Sequence, residues 1–272
     1  MNTLEKINSH KRKEVEENKK LYPIKLLEKS SFFNATPVSL EKYLTRKDKS
    51  GIIAEIKKQS PSKGIINQYV SIEKTSIGYM QAGASAISVL TDRTFFGGTN
   101  QDLGIARKFN FCPILRKDFI VDEYQIIESK SIGADVILLI AASLSKTEMS
   151  SFTNLAFSLG MEVLFEIHSE EELDKIPPSA KIIGVNNRDL KTLKINLETS
   201  FSLIHKLPKD VIKVAESGIE NPADIVKLKS AGYSGFLIGS YFMKHPEPSV
   251  ACKDFITLLN SKTQKTLLNH AY

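Results

Sequence analysis

The chain has 272 residues, 42% apolar and 25% charged, with fourteen Phe and no Trp. That balance supports a large core and excludes whole-chain disorder, and 14 Gly with 10 Pro exclude collagen-like and proline-rich architectures. Two Cys cannot form a disulfide scaffold, and the formal charge of +6 is diffuse rather than gathered into a patch.

The first fifty residues differ from the rest. Leu4, Ile7 and Val15 fall at near-helical spacing among Lys and Glu, and the stem of Lys11 joins the same face. Segment 1–30 intersperses eight Lys or Arg with five Asp or Glu, so it reads as a surface helix, not a nucleic-acid arm. A second short helix is expected over Ser39 to Thr45. Residues 1–50 hold too little apolar content for a core of their own. They are read as an extension packed on residues 51–272, one structural domain overall. No zinc-ligand set, aromatic-sheet motif or basic zipper points to nucleic acid. No apolar run reaches the roughly 18 residues of a membrane span. The opening Met1–Lys6 lacks the apolar segment of a secretory signal, so a cytoplasmic protein is expected.

From Gly51 onward, eight apolar runs predict strands: Ile52–Ile56, Ala86–Leu90, Pro113–Leu115, Val136–Ile140, Val163–Ile167, Ile182–Val185, Val211–Ala215 and Phe236–Ile238. Helical patterns such as Ile72–Ala82 and Tyr124–Ser131 separate them, and Gly83, Gly133, Gly160 and Gly232 supply helix ends. Continuous apolar strands covered by helices imply a parallel sheet. The repeat of ~26 residues suits small βα units, and no Gly-x-Gly-x-x-Gly follows the first strand. Polar residues gather at the C-terminal ends of several strands. That favours a closed (β/α)8 barrel over an open doubly wound sheet.

Alternation in the first strand turns Ile53, Glu55 and Lys57 to one side and Ile52, Ala54 and Ile56 to the other. The charged side points into the barrel, as a functional pair or a structural ion pair. The following loop, Lys58–Gly64, mixes hydroxyls and cations and suits an anion, or is a solvated turn. Lys117 lies just beyond the third strand and Glu166 ends the fifth. Together they form an acid–base pair or a barrel-mouth salt bridge. Asn186 ends the sixth strand, where Arg188 and Asp189 either meet substrate or lock the loop. Gly218, Gly239 and Ser240 follow strands seven and eight, where barrels commonly bind phosphate.

Four ordered motifs now stand together: Ile53–Gly64 (reading IAEIKKQSPSKG), Leu115–Ile120 (LRKDFI), Asn186–Leu190 (NNRDL) and Ala215–Ile219 (AESGI). In these the chain closely resembles the indole-3-glycerol phosphate synthase family over nearly its whole length. The resemblance implies a TIM barrel with an N-terminal helical segment. It implies conversion of 1-(2-carboxyphenylamino)-1-deoxy-D-ribulose 5-phosphate to indole-3-glycerol phosphate, carbon dioxide and water, without metal or organic cofactor. It makes Lys117 the principal general acid and Glu166 the base, with Lys57 at the anthranilate carboxylate and also catalytic, the division of acid work between Lys57 and Lys117 left open. Glu55 and Asn186 orient the reacting groups, with Glu216 as a further polar member. Ser60, Gly218, Gly239 and Ser240 fall on the phosphate side, Ser217 and Arg188 among the substrate-binding residues, and Phe96 and Phe119 around the aromatic half. A small phosphorylated substrate is the expected partner. A monomer is the first expectation, with a dimer left open.

Some positions stand apart from this set. Arg116 faces either the helices or the substrate. His168 is read as a cap of the following helix, and His10, His205, His245 and His270 form no spaced metal set. Cys112 and Cys252 are read as packing thiols. One alternative is phosphoribosylanthranilate isomerase, which calls for a catalytic Cys on the first strand, where Glu55 and Lys57 stand instead. Another is a non-catalytic anion-binding barrel.

Overall fold

The computed structural model describes residues 2–190 and 192–269, with side chains as far as Lys262. His270 therefore lies outside the described residues. Period-two alternation of apolar and polar residues sets the architecture. The strands are β1 (Ile52–Ile56), β2 (Ala86–Leu90), β3 (Ile114–Lys117), β4 (Val136–Ile140), β5 (Glu162–Ile167), β6 (Ile182–Asn186), β7 (Ile212–Glu216) and β8 (Gly235–Ile238). They close a parallel barrel in the order β1-β8-β7-β6-β5-β4-β3-β2.

Outward residues such as Ile52, Ala54, Ile56, Ile114 and Phe165 pack with the helices in one large cluster. Inward residues such as Ile53, Leu115, Val136, Leu164, Ile182 and Val214 fill the lumen. The register sets Leu90 beside Lys117 and Asn186 beside Glu216, so polar inward residues collect at the C-terminal rim.

Most predicted strands match to within one residue. The third differs more: the ladder to β2 carries it on to Lys117, so Arg116 and Lys117 belong to the strand. Arg116 then points outward, against the helix Glu123–Ser131. It is buried, donating to Glu128 at 2.6 Å, Gln125 O and Ser129 Oγ at 3.0 Å and Asp118 at 3.2 Å. The first loop also forms a short hairpin, Gln59–Ser60 with Gly64–Ile65, and a 3-10 turn over Glu170–Lys175 follows β5.

The extension covers both ends of the barrel. Helix α1 (Thr3–Leu21) opens on an Asn2–Glu5 capping box and lays Leu4 and Ile7 into the lumen cluster with Phe119 at the rim. A short helix α2 (Ile24–Leu27) follows, and then α3 (Leu40–Thr45). From α3, Leu40 and Leu44 enter the same lumen from the opposite end, and the Glu41 backbone N–H donates to Glu162 at the start of β5. Among the described residues no helix is long and apolar enough to cross a membrane.

Candidate active site

β3 delivers Lys117 to the centre of the rim. Its Nζ donates to Glu166 Oε2 at 2.7 Å and to Glu216 Oε2 at 2.5 Å. These carboxylates come from β5 and β7, with β6 between them. At that level β6 carries Gly184, paired with Glu166 in the ladder. A Cβ on Gly184 would overlap the Glu216 carboxylate. The absent side chain lets both carboxylates reach one ammonium.

β1 supplies a second pair, with Lys57 Nζ donating to Glu55 Oε1 at 2.5 Å. Gly239 lies against it, and a Cβ there would overlap the Glu55 carboxylate. Asn186 accepts the Arg188 backbone N–H on its Oδ1 at 3.0 Å and lines the same cavity as Glu166. The Arg188 guanidinium donates to Leu193 O at 2.9 Å and Ser62 Oγ at 3.2 Å, so it ties its own loop to the first loop while lining the cavity.

The carboxylates are buried, so the charges govern one another. Burial pushes Glu166 up, but Lys117 and His168, with the hydrogen bond from Lys117, hold it below the usual carboxylate range. Burial pushes Glu216 up as well. Lys117 pulls it back, but the nearby Glu166 and Glu55 leave it well above that range. Burial works against the charge on Lys117, but Glu166, Glu216 and Glu55 raise it above its ordinary value. The two carboxylates are thus pushed apart, with Glu166 held ionised beside the ammonium and Glu216 the one that takes up a proton more readily.

One cavity of about 130 Å³ is lined by Glu55, Lys57, Phe96, Lys117, Phe119, Glu166, Asn186, Arg188, Glu216, Ser217, Gly218, Gly239 and Ser240. Ser60 lines an adjoining cavity of about 70 Å³ that shares Lys57, Phe96, Phe119 and Arg188. Its Oγ accepts the Lys63 backbone N–H at 3.2 Å. Phe96 and Phe119 lie 5.8 Å apart at 35° and form an apolar wall. At the far side Ser217 and Gly218 both have positive φ, 67° and 81°, which turns the chain sharply after β7. Such a conformation strains a serine. Asn187 pins the turn, donating to Glu216 O at 3.0 Å and Ser217 O at 3.1 Å.

Two placements were not foreseen. His168 does not cap a helix with its ring. The ring lies between Glu166 and Glu172, and alternation along β5 was the available signal, since Glu166 and His168 share a side. Lys11 does more than lay its stem on a face, because its ammonium is buried as well. Cys112 and Cys252 are buried, and burial pushes both thiols up to about 12, as packing residues require.

The chain matches the family model described as indole-3-glycerol phosphate synthase over residues 4–255. The chain belongs to the indole-3-glycerol phosphate synthase family. A synthase of that name from Bacteroides thetaiotaomicron is 45% identical over 255 residues, covering 93% of this chain and 97% of its own. One from Chloroherpeton thalassium is 45% identical, covering 88% and 94%. Among solved structures, thiamine phosphate pyrophosphorylase from Pyrococcus furiosus aligns at TM-score 0.57 and 14% identity, over 82% of this chain and 98% of that one. A chain of the tryptophan synthase a2b2 complex from the same organism aligns at 0.58 and 16%, over 78% and 99%. At those identities the likeness is one of fold, a TIM barrel. Membership of the synthase family rests on the sequence matches.

Proposed function

We propose that this barrel closes the indole ring, converting 1-(2-carboxyphenylamino)-1-deoxy-D-ribulose 5-phosphate to indole-3-glycerol phosphate, carbon dioxide and water. Membership of the synthase family supports the reaction. The observation that carries the chemistry is the buried Lys117–Glu166 pair, 2.7 Å apart at the base of one cavity beside Glu55 and Lys57.

The substrate's two ends need fixed contacts, because a flexible ribulose chain must bring its ketose carbon to a ring carbon. Lys57 takes the anthranilate carboxylate, and Phe96 and Phe119 flank the ring. Ser217, Gly218, Gly239 and Ser240 meet the phosphate, with Ser60 and Arg188 along the adjoining wall. Lys117 stabilises negative charge growing on the ketose oxygen and donates a proton to it. The new carbon–carbon bond forms, carbon dioxide leaves, and its bonding electrons return to the ring. The former ketose oxygen takes up a second proton and departs as water, and Glu166 removes the C–H proton that completes the indole. Glu55 and Asn186 hold the reacting groups in line. Glu216, in its protonated form, spares the cluster a second buried negative charge.

Lys117 ends this sequence having given a proton and Glu166 having taken one. Their direct hydrogen bond provides a path that returns the proton from Glu166 to Lys117, while the second proton carried off in the water comes from solvent, the one proton consumed overall as the carboxylate leaves as neutral carbon dioxide. We propose that residues 1–50 and the barrel work as one unit, with α1 forming part of the substrate mouth.

The test is turnover of the authentic substrate by purified chain, read as indole-3-glycerol phosphate and carbon dioxide formed in equal amounts. Product is expected to form without added metal and to persist in chelator. No product from folded protein overturns the assignment.

A further inference from the structure

Glu166 is approached from two sides. Lys117 holds Oε2, while Oε1 faces the Nε2 of His168 at 3.4 Å. His168 follows β5 directly, and its side chain is only 12% exposed. Its other ring nitrogen, Nδ1, lies 3.4 Å from Glu172 Oε2, and that same oxygen accepts the His168 backbone N–H at 2.7 Å. Glu172 is thus fixed by the backbone it caps and faces the ring it orients. The buried Nε2 makes no hydrogen bond in this arrangement, and it lies against the Glu166 carboxylate. A buried polar atom left this way invites a functional reading.

We propose that His168 is a positioning residue for Glu166, held by Glu172 so that its imidazolium keeps the Glu166 carboxylate ionised and aimed at the substrate. This rests on Glu166 being the base of the proposed reaction. Burial opposes a charge on His168, but its hydrogen bond to the Glu172 carboxylate and the charges of Glu166, Glu172 and Glu216 outweigh it and raise its pKa. On the far side of Glu166, Lys117 works in the opposite direction on the ring. Across the outer groove, Glu5 of α1, Asp189, Lys175 and Lys194 share the cavity that His168 lines, and Glu170, Glu171 and Glu198 line the groove on its other side. Lys175 is engaged by Ala141 O and Leu144 O at 2.7 and 3.0 Å.

The consequence is specific. A cation beside Glu166 lowers its proton affinity, so the carboxylate is empty when substrate arrives. Loss of that cation lets Glu166 take a proton at higher pH and withdraws it from the reaction. A ring that only filled space would leave this titration unchanged.

The experiment pairs kinetics with direct titration. His168→Asn keeps an amide of similar reach without the charge. It is expected to lower kcat more than it changes KM, and to move the acidic limb of kcat/KM up by about one pH unit. Glu172→Gln should move the limb the same way by less. In protein labelled at the histidine ring carbons, the His168 resonance, assigned by its loss in H168N, should titrate above an ordinary imidazole. It should titrate lower in both E166Q and E172Q. A His168 titration that is the same in wild type and both variants overturns the pairing, whatever the turnover. A limb unmoved in H168N overturns the catalytic role even where the titration moves. A folded wild-type chain that makes no product overturns the base assignment and this role with it.

Discussion

The ammonium of Lys11, carried by α1, lies 3.1 Å from Asp118, the residue that follows Lys117. It also lies 2.9 Å from Asp92 and 3.0 Å from Glu14. Lys11, Asp92 and Asp118 are almost wholly buried. The N-terminal helix is therefore bound to the loops after β2 and β3 by buried charge as well as by Leu4 and Ile7. Removing one member strands the others, which costs about 3–5 kcal/mol in buried ion networks. Lys11→Met is expected to lose stability on that scale, with a smaller loss of turnover as the segment holding Lys117 loosens. Chemical denaturation checks it, and an unchanged midpoint would place the weight of the contact elsewhere.

The same cluster gives an acid dependence. Burial would raise Asp118, but Lys11 and Arg116, with hydrogen bonds from Thr91 and the Phe119 backbone, hold it down to about 2. A depressed carboxylate contributes stability above its unfolded pKa of about 3.9. That contribution is lost as pH falls from about 4 toward 2. Wild-type stability should drop across this window, and Lys11→Met should drop less steeply, because its Asp118 lacks the partner. Parallel pH curves for the two proteins would contradict the coupling.

Much of this was legible before the fold was known. Alternation in Ile52–Ile56 assigned the inward side of β1, and the four strand-end motifs held Glu55, Lys57, Lys117, Asn186 and Glu216, which line one cavity, while Phe96, Glu166, Gly239 and Ser240 joined it from outside those motifs. The limits have physical causes. A charged residue at the end of an apolar run gives no sign of whether the ladder continues. The third strand therefore stopped two residues early, and Arg116 was left between two faces. Lys11 looked like a stem on an amphipathic face because its partners, Asp92 and Asp118, lie far off in sequence. Gly184 carried no local signal, since its smallness matters only where carboxylates from the strands on either side of it converge. Two-ended capping by α1 and α3 was equally invisible, because Leu40 and Leu44 reach a lumen formed by strands far along the chain. Deleting residues 1–45 would consequently remove the floor of the barrel as well as part of its mouth.

Gly184 provides a sharp steric test. A methyl group there would overlap the Glu216 carboxylate from a fully buried strand. Gly184→Ala is expected to push Glu216 off Lys117 and reduce kcat by about 10-fold or more, about 1.4 kcal/mol of barrier. Circular dichroism should show the barrel retained. Gly239→Ala should act on Glu55 in the same manner, so substitutions at Gly239 report on Glu55 as well as on phosphate. Wild-type rates in folded forms of both variants would show that these carboxylates need not be held where they are.

The division of labour between Lys117 and Glu166 is open to direct dissection. Lys117→Met keeps much of the apolar stem and removes the donor and the charge. It also leaves Glu166 and Glu216 facing each other without their shared ammonium, so both carboxylates should bind protons more readily. Glu166→Gln keeps the shape and removes the basic carboxylate, and Lys117 retains Glu216 at 2.5 Å. Each substitution should lower kcat by roughly 100-fold or more, about 2.7 kcal/mol of barrier. Substrate affinity should suffer less, because both groups act chiefly in the transition state. The two variants should stall at different points. Pre-steady-state measurements on Lys117→Met should show slow ring closure with little carbon dioxide released. Glu166→Gln should release carbon dioxide faster than it forms the finished indole, because the last proton has no acceptor. Near-normal chemical steps in both folded variants would contradict the pair, and equal losses confined to binding would recast the two residues as substrate anchors.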